Sequence, residues 1–88
     1  MSAKNEQLQT LKDGGVVAVV RAERSDELVQ VVQAISEGGI RAIEITMTTP
    51  GALDVIKYCA EQFRASVLIG AGTILDTETA RAAILAGA

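Results

Sequence analysis

Three groups of residues have types and spacing suited to chemistry. The first is Glu44, set in Ala42-Ile43-Glu44-Ile45-Thr46-Met47-Thr48. Alternation along a strand puts Ile43, Ile45 and Met47 on one face, toward helices. Ala42, Glu44, Thr46 and Thr48 then share the other, concave face. Burying an unpaired carboxylate is costly, so a mid-strand glutamate is paired, hydrogen-bonded or functional. Two readings follow: a salt bridge to Arg21 or Arg41, or a general acid/base tuned by its enclosed setting. The second group is Arg21, which ends an apolar run on the face of Val17 and Val19. Parallel α/β sheets place ligands at this carboxyl end, and a guanidinium there suits a carboxylate or phosphate; the simpler alternative is a solvated arginine at a loop mouth. The third is Gly70-Ala71-Gly72-Thr73. Glycines let backbone N–H groups approach an anion and Thr73 adds a hydroxyl, although the same residues also make a tight βα turn. They match neither the Walker A pattern nor the full dinucleotide fingerprint.

Other residues are better explained by structure. Lys57 lies mid-helix between Asp54 and Glu61, a solvated face with an i,i+4 partner in Glu61. Cys59 borders an apolar stripe and reads as a small core residue. Histidine is absent and cysteine occurs once, which excludes histidine-dependent triads, an intrachain disulfide and a structural zinc cluster. A cytoplasmic protein without a metal is expected. Eight Lys+Arg against eleven Asp+Glu give a net charge of -3, without the basic stripe that binds nucleic acid. The longest apolar run, Val16 to Val20, is far shorter than the roughly 20 residues that span a bilayer. Neither nucleic acid nor membrane is an expected partner.

The elements that position these residues follow from a repeat. Apolar β-branched runs begin near Val16, Ala42 and Val67, each followed by a turn and a helical stretch, with a period of about 25 residues that suits βα units. Every side chain from Val16 to Val20 is apolar, as in a parallel strand covered on both faces. Ser25 is expected to cap the first long helix, with Leu28, Val31, Val32 and Ile35 inward and Gly38-Gly39 stopping it. Thr49 caps the next, with Pro50 at its first position and Leu53, Ile56, Ala60 and Phe63 as its stripe. The third strand, Val67-Leu68-Ile69, leads through the Gly-Ala-Gly-Thr turn to a helix capped by Asp76, with Ala80, Ala83 and Ile84 inward and Gly87 closing it. A short amphipathic helix with Leu8 and Leu11, ended by Gly14-Gly15, lies as a lid on the bottom of the sheet.

The 88 residues read as one α/β domain: an N-terminal helix at 3–13, then βα units at about 16–39, 41–64 and 66–88. These parallel units correspond to the first three strands of a (β/α)8 TIM barrel. A closed barrel needs eight strands and typically 200 residues or more, so open edges and an exposed concave face predict self-association or incompleteness.

Read together, Val19-Val20-Arg21, Gly38-Gly39-Ile40-Arg41, Ile43-Glu44-Ile45-Thr46-Met47-Thr48-Thr49-Pro50 and Ile69-Gly70-Ala71-Gly72-Thr73-Ile74-Leu75 resemble a known family. The likeness is to the amino-terminal portion of the 2-keto-3-deoxy-6-phosphogluconate / 4-hydroxy-2-oxoglutarate aldolases, from about Val16 to Ala88. The resemblance implies a (β/α)8 barrel, usually a homotrimer, that cleaves a 2-keto-3-deoxy sugar acid phosphate to pyruvate and glyceraldehyde 3-phosphate. No metal or cofactor is implied. The mechanism implied is a Schiff base on a barrel lysine, with Glu44 matching the glutamate that moves protons. Thr73 would contact the pyruvyl carboxylate, with Thr46 and Gly72 beside it and Arg21 near the same anion. Thr48 stands where many members have arginine, which makes Arg21 the candidate substitute. The family's Schiff-base lysine and phosphate site lie on later strands with no counterpart here, and Lys4, Lys12 and Lys57 fall on helices or their ends. The chain alone is therefore expected to be inactive. The alternatives are a non-enzymatic half-barrel that self-associates as a scaffold or binding module, and a different phosphate-binding barrel enzyme. The aldolase spacing of Glu-Ile-Thr and Gly-Ala-Gly-Thr disfavours the latter.

Overall fold

The β-branched runs become parallel strands because each can bury one whole face under helices. The computed structural model describes residues 3–88, arranged as α1 (Ala3–Gly14), β1 (Ala18–Val20), α2 (Ser25–Glu37), β2 (Ala42–Thr46), α3 (Ala52–Gln62), β3 (Leu68–Gly72) and α4 (Thr77–Ala86). The sheet order is β1-β2-β3, parallel throughout. Val19 stands opposite Glu44, which stands opposite Gly70, and Thr46 is opposite Gly72. On the helix side, Ile43 and Ile45 are fully buried against Leu28, Val32, Ile56 and Cys59. Each such aliphatic side chain contributes roughly 1.5–3 kcal/mol on leaving water. The radius of gyration is 12.1 Å, against about 12 Å for a folded chain of this length, so the three units pack as one body.

Several local expectations are corrected. β1 begins at Ala18, not Val16, since Gly15 at φ 73° turns the chain out of α1 just before. Ser25 is the first helical residue of α2 and not its cap. Arg24 holds that place in extended conformation with no side-chain cap bond; its guanidinium instead grips Asp26 through Nε–Oδ1 at 3.1 Å and Nη2–Oδ2 at 2.6 Å. Gly51, at φ 70°, caps α3. Thr49, the expected cap, is buried, and its Oγ1 accepts a bond from the Ala22 amide at 3.3 Å, tying the end of β1 to the loop after β2.

Three apolar stripes also differ. α3 buries Ala52, Val55, Ile56 and Cys59, while Leu53, Ala60 and Phe63 are half-buried, because this helix packs against both neighbouring helices as well as the sheet. Val31 of α2 and Ile84 of α4 face outward, Ile84 at 67% exposure, while Ala83 is buried. α4 packs mainly on α3 and leaves its other flank open. Its ends form as the residues dictate: Asp76 accepts from the Thr79 amide at 2.6 Å and from Thr79 Oγ1 at 2.9 Å, and Gly87 closes the helix at φ 120°. These two bonds hold the Asp76 carboxyl below its ordinary range. Lys57 and Glu61 are exposed, and no ion pair joins them.

Candidate active site

β2 presents Glu44 on the concave face, half-buried. Its side chain leans across β3: a Cβ added at Gly72 would overlap Oε2 and Cδ of Glu44. The carboxyl group therefore occupies the volume that any other residue at position 72 would fill. Among the described residues, Glu44 has no ion pair or side-chain hydrogen bond, so the salt bridge to Arg21 or Arg41 is not formed. Arg24 makes the ion pairs of the described residues, with Asp26 and Glu27.

The other candidates gather at the carboxyl end of the sheet. Buried Thr46 and exposed Thr48 share a hydrogen bond, Oγ1 to Oγ1 at 2.8 Å. Their hydroxyls are paired at the mouth of β2. The expected Gly-Ala-Gly turn is in fact strand: β3 runs through Gly72, whose carbonyl accepts from the Met47 amide at 2.9 Å. The turn starts at exposed Thr73, with φ 60°. A β-branched residue in left-handed conformation is strained by about 1–3 kcal/mol, a feature that concentrates at functional sites. Arg21 follows β1, exposed and without an ion pair or side-chain hydrogen bond among the described residues. Glu44 and Gly72 are thus in contact, Thr46 and Thr48 are bonded, and Arg21 touches neither pair through any hydrogen bond or ion pair.

Sequence reasoning missed the reach of α1. Lys4, Gln7, Leu8 and Leu11 line a cavity of about 340 Å³ together with Val17, Ala42, Glu44, Leu68 and Gly70. The helix is more than a lid at the bottom of the sheet, since its cavity extends to the carboxylate. Leu8 and Leu11 signalled an apolar face, but periodicity does not say where that face docks. Cys59 is fully buried, and burial pushes its thiol up to about 11. It is a core residue, as its position on the helix suggested.

The sequence model described as KDPG and KHG aldolase matches residues 8–88. The chain belongs to that family. Within the aldolase family, the 2-dehydro-3-deoxy-phosphogluconate aldolase of Pseudomonas aeruginosa is 34% identical over 89 residues, covering 100% of this chain and 40% of the relative. The enzyme of the same name from Treponema pallidum is 41% identical over 73 residues, covering 83% and 34%. The chain thus spans two fifths or less of these curated aldolases and corresponds to their amino-terminal portion. A solved KDPG aldolase from Legionella pneumophila, with pyruvate captured as a covalent carbinolamine intermediate, superposes with a TM-score of 0.74 at 28% identity. That match covers 82% of this chain and 34% of the Legionella chain. These aldolases are TIM barrels, so β1, β2 and β3 are the opening strands of that fold.

Proposed function

We propose that this chain carries the proton-transfer part of a class I aldolase site. Completed by further strands, that site cleaves 2-keto-3-deoxy-6-phosphogluconate to pyruvate and glyceraldehyde 3-phosphate. A lysine amine adds to the substrate ketone, and Glu44 moves the protons that turn ketone to carbinolamine and carbinolamine to Schiff base with loss of water. Loss of the C4 hydroxyl proton then breaks the C3–C4 bond, releasing glyceraldehyde 3-phosphate and leaving an enamine that the same carboxyl protonates; water hydrolyses the resulting pyruvate Schiff base and frees the amine. Thr73, the backbone at Gly72, the Thr46–Thr48 hydroxyl pair and Arg21 hold the carboxylate of the pyruvyl unit. The reactive amine comes from a later strand, as does the phosphate site: Lys12 and Lys57 project from helices into solvent, and Lys4, although it lines the cavity that reaches Glu44, is an exposed residue of α1 and not of a concave-face strand. Assembly as a homo-oligomer, a trimer by family likeness, belongs to the same reading.

The observation that carries it is the state of Glu44: a carboxylate half-buried on the concave face, laid over a glycine and held by no cation among the described residues. The test is borohydride trapping with pyruvate, applied to the 88 residues and to a chimera in which they replace the matching segment of the Pseudomonas aeruginosa relative. The chain alone is expected to give no adduct and the chimera a stable one. Glu44→Gln should slow adduct formation and turnover of the chimera by about 10²–10⁴-fold. An adduct on the chain alone, or full activity in the glutamine chimera, sinks the proposal.

A second reading has its own support. Val19 on the concave face is 62% exposed, and Leu75, Ile84 and Leu85 lie bare on the β3–α4 side. Such surface fits a non-enzymatic half-barrel that associates with itself; this reading expects a chimera that assembles without turning over substrate.

A further inference from the structure

Arg41 and the segment 64–67 stand at the amino-terminal end of the sheet, opposite Thr48 and Thr73. Arg41 immediately precedes β2, and its carbonyl accepts from the Leu68 amide at 2.8 Å. The turn at 64–66 immediately precedes β3. With Thr10 of α1 they line a second cavity, of about 150 Å³, bounded by Arg41, Arg64, Ala65, Ser66 and Val67. Two arginines therefore line one small hollow, and neither can shed its charge in a protein. Neither has an ion pair or a side-chain hydrogen bond among the described residues.

The turn supplies further donors. The amides of Ser66 and Val67 both bond to the Phe63 carbonyl at 2.9 Å, whereas those of Arg64 and Ala65 have no acceptor among the described residues. The two hydroxyls at the hollow already donate elsewhere, Thr10 Oγ1 to the Glu6 carbonyl at 3.1 Å and Ser66 Oγ to that of Phe63 at 3.4 Å. They offer lone pairs that suit the P–OH of a hydrogen phosphate. A pair of unneutralised planar forks beside two free backbone N–H groups matches a tetrahedral oxyanion. A carboxylate would use only part of it.

We infer that this hollow, at the end of the sheet away from Glu44, binds a phosphate-class oxyanion, either inorganic phosphate or the phosphate group of a small metabolite. The inference stands apart from the aldolase reading, since it uses none of the same residues. Its test is a titration of the ¹⁵N-labelled 88-residue chain with inorganic phosphate at constant ionic strength, followed through amide and arginine Nε resonances. Saturable shifts are expected at the Arg64 and Ala65 amides and at the side chains of Arg41 and Arg64. Arg41→Ala and Arg64→Ala should each weaken binding by roughly tenfold or more. Lysine at either position should restore only part of it. Both side chains are exposed, so these variants keep the fold, which the unshifted remainder of the spectrum verifies. A parallel titration with glycerol 3-phosphate separates the sources: tighter binding assigns a phosphorylated metabolite, and equal or weaker binding assigns free phosphate. Shifts that never saturate, that persist in both alanine variants, or that centre on Arg21 and Thr73 overturn the inference.

Discussion

Glu44 and Gly72 compete for one volume, and the arrangement works only because position 72 has no side chain. Gly72→Ala should therefore destabilise the chain by about 1–3 kcal/mol while displacing the carboxyl group. Much of that cost should vanish in a Glu44→Ala background, giving a coupling energy on the order of 1 kcal/mol or more in a double-mutant cycle. Urea unfolding of the four proteins measures it, and equal costs in both backgrounds would mean that the two residues do not touch. The contact illustrates what the sequence withheld. That Glu44 lies on the concave face followed from alternation along one strand. That it lies over Gly72 depends on the register of two strands, Glu44 opposite Gly70 and Thr46 opposite Gly72, which no local pattern encodes.

The elements were legible where a single side chain decides the outcome and obscure where a distant partner does. Asp76 caps α4 because its acceptor lies three residues from the amide it binds. Thr49 looked equally suited to cap α3, yet its hydroxyl is taken by the Ala22 amide, 27 residues away, and Gly51 turns the chain instead. α3 carries its own test. Its Cys59 is sealed between the sheet and neighbouring helices and titrates near 11, above an ordinary 9.0, because burial disfavours the thiolate. The folded thiol is the weaker acid, so its share of stability is complete below about pH 9 and is lost as the pH climbs through about 11. Over that window the unfolding free energy should fall by on the order of 2 kcal/mol more in the native chain than in Cys59→Ala. Parallel pH profiles from chemical denaturation would refute the burial argument. No corresponding clue revealed that Lys4 shares a cavity with Glu44, since helical periodicity sets a face but not its destination.

At the scale of the molecule, a compact body carries a sheet with two open edges: among the described residues, β1 and β3 each pair only with β2. Leu75 at 88% exposure and Leu85 at 71% extend the apolar margin beside β3. Sedimentation equilibrium should show association growing with concentration in the micromolar range, and Leu85→Glu should shift it toward monomer. A native chain that stays monomeric throughout would refute the exposed-edge argument. The open edges have a practical corollary. Backbone donors and acceptors left vacant along a parallel strand form a docking rail for peptide supplied in trans, so the later strands of a relative, made as a separate polypeptide, would meet this one in a bimolecular step. Any signal recovered by such mixing would scale with the product of two concentrations and fade on dilution, the behaviour of a split reporter.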